Sequence, residues 1–187
     1  MSMTGKSDIL IILDLDETLV YSTENRLDTA EDSQYEKYFI YKRPGLDNFL
    51  RQVSEHFRIG IWSSAGDIYV AEVVNNIVPI DVQLEIVWSR SKCTQRKDFE
   101  QDIYYWEKRL DKLKKKGFRI EKIIIVDDSP EKARDNFGNA VYVKEFNGEP
   151  GDRELEVLFD YLLTLKRVDN VRAIEKRGWR ERAHKTS

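Results

Sequence analysis

Along this chain, runs of branched apolar residues alternate with segments in which apolar side chains recur every three or four positions. The clearest runs cover residues 9–13, 58–62 and 123–126, and polar residues end each of them abruptly. Unbroken apolar runs of this length are typical of strands that are covered on both faces of a parallel sheet. Shorter apolar segments predict further strands over residues 38–41, 84–88 and 140–143.

The segments between these strands carry the apolar spacing of amphipathic helices. We expect helices after Arg43-Pro44-Gly45, over residues 67–75 and 104–116, from Pro130 with Ser129 as its cap, and over residues 152–168. Strands that alternate with helices form right-handed parallel crossovers. The sequence therefore predicts the α/β class, with a three-layer Rossmann-like fold around a central parallel sheet.

The length of the chain fits one domain. A chain of 187 residues can bury a substantial core without disulfides, so we expect a single domain over residues 1–187. Within it we expect a short exposed insertion at residues 22–37, a loop near the functional site at residues 89–103, and a basic helix or tail at residues 167–187. The tail could contact an acidic partner, although a solvated helix packed through its apolar residues is the simpler interpretation.

Composition narrows the location and the class of protein. The 31 Lys and Arg residues and 34 Asp and Glu residues give a net charge of -3, and 35% charged residues indicate a well-hydrated surface. Apolar runs are far shorter than the ~20 residues that span a bilayer, and a signal-peptide hydrophobic region does not precede the first strand. The single cysteine, Cys93, fits a reducing compartment. We therefore expect an intracellular, cytoplasmic protein with no membrane partner.

Acidic residues follow two of the apolar runs at the point where each strand is predicted to end. Asp14 and Asp16 follow the first run, and Asp127 and Asp128 follow the third. Residues at positions i and i+2 of an extended chain point to the same side, and ligands bind at the carboxyl ends of parallel strands. Carboxylates gathered there oppose each other's ionisation unless a cation compensates them, and Mg²⁺ is the simplest candidate. The alternative is an ordinary polar turn after a core strand.

Several of these stretches resemble one known family. Asp14-Leu15-Asp16-Glu17-Thr18 resembles the Asp-x-Asp-x-Thr nucleophile motif of phosphatases of the haloacid dehalogenase (HAD) superfamily. Trp62-Ser63-Ser64 is similar to the second motif. Asp127-Asp128-Ser129-Pro130 resembles the acidic motif of the branch that contains RNA polymerase C-terminal-domain phosphatases and NLI-interacting-factor-like proteins. The resemblance covers most of the chain and implies an HAD-like fold with only a small or minimal cap.

This resemblance implies an Mg²⁺-dependent phosphatase that forms an aspartyl phosphate, a known form of carboxylate catalysis. Asp14 would be the nucleophile. Asp16 would be the general acid and base, which protonates the leaving oxygen and later accepts a proton from water. Thr18 would brace the loop between them. The metal would be held by Asp14, the backbone carbonyl of Asp16, and Asp128.

The resemblance also implies residues that bind the phosphoryl group. Ser63 would bind it, and the hydroxyl of Ser64 could add a hydrogen bond. A lysine in a Lys-x-Leu pattern would complete the site, and Lys108 matches that pattern better than Lys112, which stays the alternative. Asp127 would support the metal through water or through a neighbouring side chain.

Two other functions stay open at this point. The chain could be a binding module without activity, as in a mitochondrial import receptor that resembles the same branch. It could also be a phosphatase for a small molecule or a nucleic-acid end. Residues 22–37 are too few to form a large cap, and an open site favours a bulky phosphorylated substrate such as a protein. A nucleic acid bound through the basic tail is a less favoured partner.

Overall fold

The computed structural model describes residues 5–100 and 102–183 of the chain. The strands are β1 (Leu10–Leu13), β2 (Val20–Thr23), β3 (Ser33–Tyr35), β4 (Tyr38–Lys42), β5 (Arg58–Trp62), β6 (Ile86–Trp88), β7 (Thr94–Asp98), β8 (Ile103–Glu107), β9 (Ile123–Asp127) and β10 (Ala140–Tyr142). The helices are α1 (Leu46–His56), α2 (Asp67–Ile77), α3 (Asp111–Lys114), α4 (Glu154–Leu165) and α5 (Trp179–Ala183).

A parallel sheet with the strand order β10-β9-β1-β5-β6 forms the centre of the fold. Strand β1 lies in its middle. Ile11 and Leu13 point into a core shared with α1, α2 and α4, whereas Leu10 and Ile12 point into a second core that includes α3. Because both faces are covered, the strand has no polar alternation. The α/β class with a central parallel sheet is confirmed.

A glycine in β5 leaves room for isoleucine side chains of the two neighbouring strands. Gly60 pairs with Ile12 of β1 and with Ile86 of β6. A Cβ atom at this position would lie 2.6 Å from Cγ1 of Ile86 and 3.0 Å from Cδ1 of Ile12. The close approach therefore explains the glycine in a strand interior, where glycine is otherwise unfavourable.

The segments over residues 22–37 and 89–116 contain strands. Residues 22–37, expected as an exposed insertion, contribute the end of β2 and the whole of β3 to an antiparallel sheet with the order β2-β4-β3. The helix expected over residues 104–116 is wrong, and so is an irregular loop over residues 89–103. Residues 94–107 form the antiparallel β7–β8 hairpin, and only the four residues of α3 are α-helical before Gly117, whose φ of +90° ends the turn.

The remaining helices follow the sequence more closely. Helix α2 and helix α4 lie where the apolar spacing predicts them. The segment Pro130–Asn139, expected as a helix, consists of 3-10 turns with a kink, and the Ser129 hydroxyl donates to Asp128 instead of capping it.

The C-terminal segment packs against the core through Val171 and Trp179, as the simpler interpretation of the basic tail expected. The Trp179 ring lies 5.5 Å from that of Tyr161, and its Nε1 donates to the Tyr142 carbonyl at 2.9 Å. Gln101 and the last four residues of the tail, 184–187, lie outside the described residues. Within the part of the chain that the structure covers, every helix is too short or too polar to cross a bilayer.

Candidate active site

The order of the strands brings the predicted site residues to one edge of the sheet. Strands β1, β5 and β9 are neighbours, so Asp14, Ser63 and Asp127 meet at their carboxyl ends, and all three are buried. The Asp14 amide donates to the carbonyl of Val126 at 2.9 Å. The chain then turns sharply, with Glu17 at a positive φ of 56°. This is a strained conformation for a residue with a side chain.

Lys108 contacts both groups of carboxylates. Its Nζ lies 2.6 Å from a carboxylate oxygen of Asp14 and 2.6 Å from one of Asp127, and its side chain is fully buried. Lys112, the alternative candidate, points elsewhere, because its Nζ donates to the carbonyls of Lys92 and Cys93 at 2.7 and 3.1 Å. Of the two lysines, the structure brings Lys108 to the carboxylates.

A second lysine lies at the site, and the sequence reasoning missed it. Nζ of Lys132 lies 3.1 Å from Asp14, 3.6 Å from Asp128 and 3.9 Å from Asp127. Burial lowers the pKa of Lys132, but the three carboxylates outweigh burial and hold it above its ordinary value. The only signal in the sequence is that Lys132 follows the acidic motif, in the segment predicted as a helix from Pro130.

Three carboxylates form a group that could hold a metal ion. One oxygen from each of Asp14, Asp127 and Asp128 lies within 4.8 Å of the other two. Oxygen donors of this kind suit Mg²⁺. The carboxylates outnumber the two lysine ammonium groups, so negative charge remains for a cation to balance. Among the described residues, the side chain of Asp16 is not part of this group.

The two aspartates of the first motif have different electrostatic environments. Burial raises the pKa of Asp14, but Lys108 and Lys132 overcome this effect and hold the pKa below its ordinary value. Asp16 lies beyond these close ion pairs. Burial raises its pKa, the Asp14 charge adds to the increase, and a hydrogen bond from Tyr69 opposes it. Asp14 is therefore held as a carboxylate, while Asp16 more readily carries a proton.

Burial and the nearby lysines act in opposite directions on the pKa of Asp127. Burial and the nearby Asp14 charge raise its pKa to about 7, against the opposing effect of Lys108 and Lys132. A cation bound between these carboxylates would favour the ionised form of Asp127. The donor set therefore fits a hard divalent ion.

Hydroxyl groups surround Asp16. The Tyr69 hydroxyl donates to one carboxylate oxygen of Asp16 and lies 2.5 Å from the Ser22 hydroxyl. Ser63 Oγ lies 3.5 Å from the other oxygen and accepts from the Ala65 amide at 2.9 Å. Tyr69 was missed in the sequence because it lies on α2, outside the Trp62-Ser63-Ser64 motif that precedes this helix.

Ser64 and Thr18 have different positions in the site. Ser64 is half-buried, and its carbonyl accepts a hydrogen bond from Arg90 Nε at 2.8 Å. Thr18 is buried, and its hydroxyl donates to Asp128 at 3.4 Å. Thr18 thus links the loop after β1 to the acidic motif after β9.

A buried arginine fixes the loop that carries the first motif. Arg43 donates to the Thr18 carbonyl at 3.1 Å, to the Lys144 carbonyl at 2.9 Å and to both carboxylate oxygens of Asp152 at 2.8 Å. Its side chain is fully buried. The Arg43-Pro44-Gly45 stretch marks this residue in the sequence, but two of its partners, Lys144 and Asp152, lie more than 100 residues away along the chain.

Comparison with known proteins agrees with this architecture. The chain is 30% identical over 164 residues to the mitochondrial import inner membrane translocase subunit tim50 of Emericella nidulans. The aligned region covers 85% of this chain and 28% of that protein. It is 26% identical over 172 residues to CTD small phosphatase-like protein 2 of Dictyostelium discoideum. This second alignment covers 88% of this chain and 28% of that protein. The chain thus spans less than a third of either relative.

A solved structure shares the fold. Fcp1, described as an essential RNA polymerase II CTD phosphatase, superposes with a TM-score of 0.65 at 17% identity, covering 86% of this chain and 63% of that one. The family model for NLI interacting factor-like phosphatases matches residues 9–172. These residues contain both aspartate motifs, Lys108 and Lys132. The resemblance that the sequence motifs indicated is therefore confirmed, and this chain belongs to the NLI interacting factor-like phosphatase family.

Proposed function

We propose that this protein is an Mg²⁺-dependent phosphatase that hydrolyses phosphate monoesters through a phosphoryl group carried on Asp14. One observation supports this proposal most strongly. Asp14 and Asp16 lie two residues apart in one loop, yet the pKa of Asp14 is lowered and that of Asp16 is raised. A nucleophile that stays ionised beside an acid that carries a proton is the division of roles that this reaction requires.

In the first step, a carboxylate oxygen of Asp14 attacks phosphorus, and the bond from phosphorus to the leaving oxygen breaks. Asp16 donates its proton to that oxygen, so the product leaves as a neutral alcohol. In the second step, Asp16 accepts a proton from water, whose oxygen attacks phosphorus and releases phosphate from Asp14. The enzyme returns to its initial protonation state.

The other side chains bind and orient the phosphoryl group. Lys108, which is held between Asp14 and Asp127, provides positive charge for the phosphoryl oxygens, and Ser63 offers a hydroxyl beside Asp16. Asp14, Asp127 and Asp128 provide the oxygen donors for a metal ion. Bound Mg²⁺ supplies charge neutralisation to the transferring phosphoryl group.

The substrate proposed is a phosphoprotein. The hairpin β7–β8, which directly precedes Lys108, carries exposed aromatic side chains, including Phe99 and Tyr104, which are 85% and 64% exposed. Exposed aromatic groups are typical of surfaces that bind proteins, so they favour a peptide over a small sugar phosphate. The name of the Dictyostelium relative, a CTD small phosphatase-like protein, is consistent with a protein substrate.

Hydrolysis of a generic aryl phosphate, with Mg²⁺ and with EDTA, tests the activity. Turnover that requires the metal is the expected result. Phosphopeptides, nucleotides and sugar phosphates assayed side by side then test the substrate class, and the phosphopeptides should give the highest kcat/KM. Folded protein that shows no turnover with either Mg²⁺ or Mn²⁺ would favour a binding module instead.

A further inference from the structure

Lys132 lies where a divalent ion would be expected to bind. Its Nζ is 3.1 to 3.9 Å from Asp14, Asp127 and Asp128, which are the three residues of the candidate metal group. Mg²⁺ binds carboxylate oxygens at about 2.0–2.1 Å. An ammonium group that shares these oxygens would therefore lie very close to the ion, and the two like charges would repel each other.

The backbone of Lys132 is fixed, while its side chain has a route outward. The Lys132 carbonyl accepts from the Lys108 amide at 2.8 Å, and its amide donates to the Ser129 carbonyl at 3.1 Å. The side chain is 18% exposed, in contrast to the fully buried side chain of Lys108. Rotation of the long side chain toward solvent therefore needs no change in the backbone.

The charges of the site also distinguish the two lysines. When all three carboxylates of the metal group are ionised and both lysines are in place, the carboxylates exceed the ammonium groups by one charge. When Lys132 moves out, the excess becomes two, which a divalent cation balances. Lys108 binds Asp14 and Asp127 at 2.6 Å and is enclosed by protein, so it stays in either state.

We propose that Lys132 is a built-in counter-cation that occupies the divalent-ion position in the metal-free protein and moves out when the ion binds. Lys132 thereby stabilises the carboxylates when metal is absent and sets the affinity for the metal. This inference rests on the metal group of the proposed function but not on turnover, so binding measurements test it without substrate.

The experiment compares metal binding by the metal-free wild-type protein and the variant Lys132→Met, which keeps the length of the side chain and removes its charge. Titration with Mn²⁺ followed by electron paramagnetic resonance, and calorimetric titration with Mg²⁺, measure Kd directly. We expect Lys132→Met to bind both ions at least about tenfold more tightly. Lys132→Arg, which retains the charge, should bind them like the wild type.

Arg134 provides a matched control, because it lies two residues further along the same segment and its side chain is exposed. Arg134→Met should leave Kd within about twofold of the wild type. Thermal unfolding provides a second measurement. In EDTA, Lys132→Met should unfold at a lower temperature than the wild type, and saturating Mg²⁺ should remove this difference.

Several results would overturn the proposal. Equal or weaker metal binding by Lys132→Met would exclude competition by Lys132, while metal-dependent turnover in the aryl phosphate assay would leave the proposed function intact. Folded wild-type and Lys132→Met proteins that both fail to bind metal would contradict both proposals. If Lys132→Met and Lys132→Gln do not fold in EDTA, refolding in Mg²⁺ should rescue them, and failure of this rescue would also count against the proposal.

Discussion

At the scale of single residues, the site depends on how differently two nearby carboxylates are surrounded. Asp14 lies against two ammonium groups, whereas Asp16 lies against hydroxyl groups. An ammonium group favours the ionised form far more strongly than a hydroxyl does. The same residue type can therefore act as a nucleophile at one position and as a proton carrier at the other.

Tyr69 lowers the pKa of Asp16, the proposed proton carrier. Its hydroxyl donates to Asp16, and this hydrogen bond lowers the pKa of Asp16 against the effect of burial. Tyr69→Phe removes the donor, so the pKa of Asp16 should rise. Because Asp16 must be protonated in the proposed first step, the alkaline limb of the pH–kcat profile should move to higher pH.

Tyr35→Phe is the control for this variant. The Tyr35 ring contacts the Tyr69 ring edge to face, with centroids 5.4 Å apart, so this substitution removes a neighbouring hydroxyl and keeps the packing. Its pH profile should match the wild type. An unchanged alkaline limb in Tyr69→Phe would contradict the assignment of Asp16 as the general acid.

Glu17 makes the stability of the metal-free protein depend on pH. Burial and the charges of Asp16 and Asp128 raise the pKa of Glu17 to about 7. The folded state then binds more protons than the unfolded state between about pH 4.5 and 7, so this group destabilises the protein as pH rises through that range. Above pH 7 the loss is complete, and below pH 4.5 it is absent.

Glu17→Gln should remove this dependence. The positive φ of 56° strains glutamate and glutamine equally, so the substitution changes stability only through the charge of the side chain. After allowance for partial exposure, the variant should be more stable than the wild type by about 1–2 kcal/mol at pH 8 and equally stable at pH 4. Urea unfolding in EDTA measures both values. A difference that is the same at both pH values would contradict a charge effect.

The sequence predicted the residues that follow the strands and missed those that reach the site from elsewhere. Asp14, Ser63 and Asp127 were found because parallel strands end at one edge of a sheet. Tyr69 and Lys132 carry no such signal. Their positions depend on how a helix and a kinked 3-10 segment pack over that edge, and spacing along the chain does not encode this packing.

At the scale of elements, strands buried on both faces were the easiest to predict. Strand β5 was predicted with its observed bounds, Arg58–Trp62. Neither face of this strand lies against solvent, so its sequence does not alternate between apolar and polar residues. The β7–β8 hairpin was missed. The aromatic residues of β8 were assigned to a helix, and only pairing with the polar strand β7 reveals them as a strand. Cross-strand pairing of this kind lies outside the pattern of either segment alone.

Arg43 links several elements, and its replacement tests how much the site loop depends on them. It is fully buried and bonds Asp152, whose side chain is 7% exposed. Arg43→Leu leaves this carboxylate without its partner and should lower the free energy of unfolding by about 3–5 kcal/mol. The loop at Thr18 should also lose an anchor. Urea denaturation measures the first effect.

Arg51→Leu is the matched control, because Arg51 and Asp81 form an ion pair of the same kind with side chains that are 48% and 58% exposed. Exposed pairs contribute little, so the loss should stay below about 1 kcal/mol. If both variants lost the same stability, burial of the Arg43 pair would not determine its contribution.

At the scale of the whole molecule, one parallel sheet, two small antiparallel sheets and the C-terminal segment support a single acidic edge. The family model spans residues 9–172, so the sheet and the site lie within it, and most of the described C-terminal segment after α4 extends beyond it. Trp179 and Val171 nevertheless anchor that segment to the core. The acidic edge, with its two lysines, is therefore the feature on which the proposed function rests.

The most direct test of this function is to find the phosphoryl group on the enzyme. Wild-type protein mixed with an aryl phosphate and Mg²⁺, then quenched in acid, should carry one phosphoryl group in the peptide that contains Asp14, as determined by mass spectrometry. Asp14→Asn should carry none and should lose turnover. A phosphoryl group on another residue, or wild-type turnover by Asp14→Asn, would contradict Asp14 as the nucleophile.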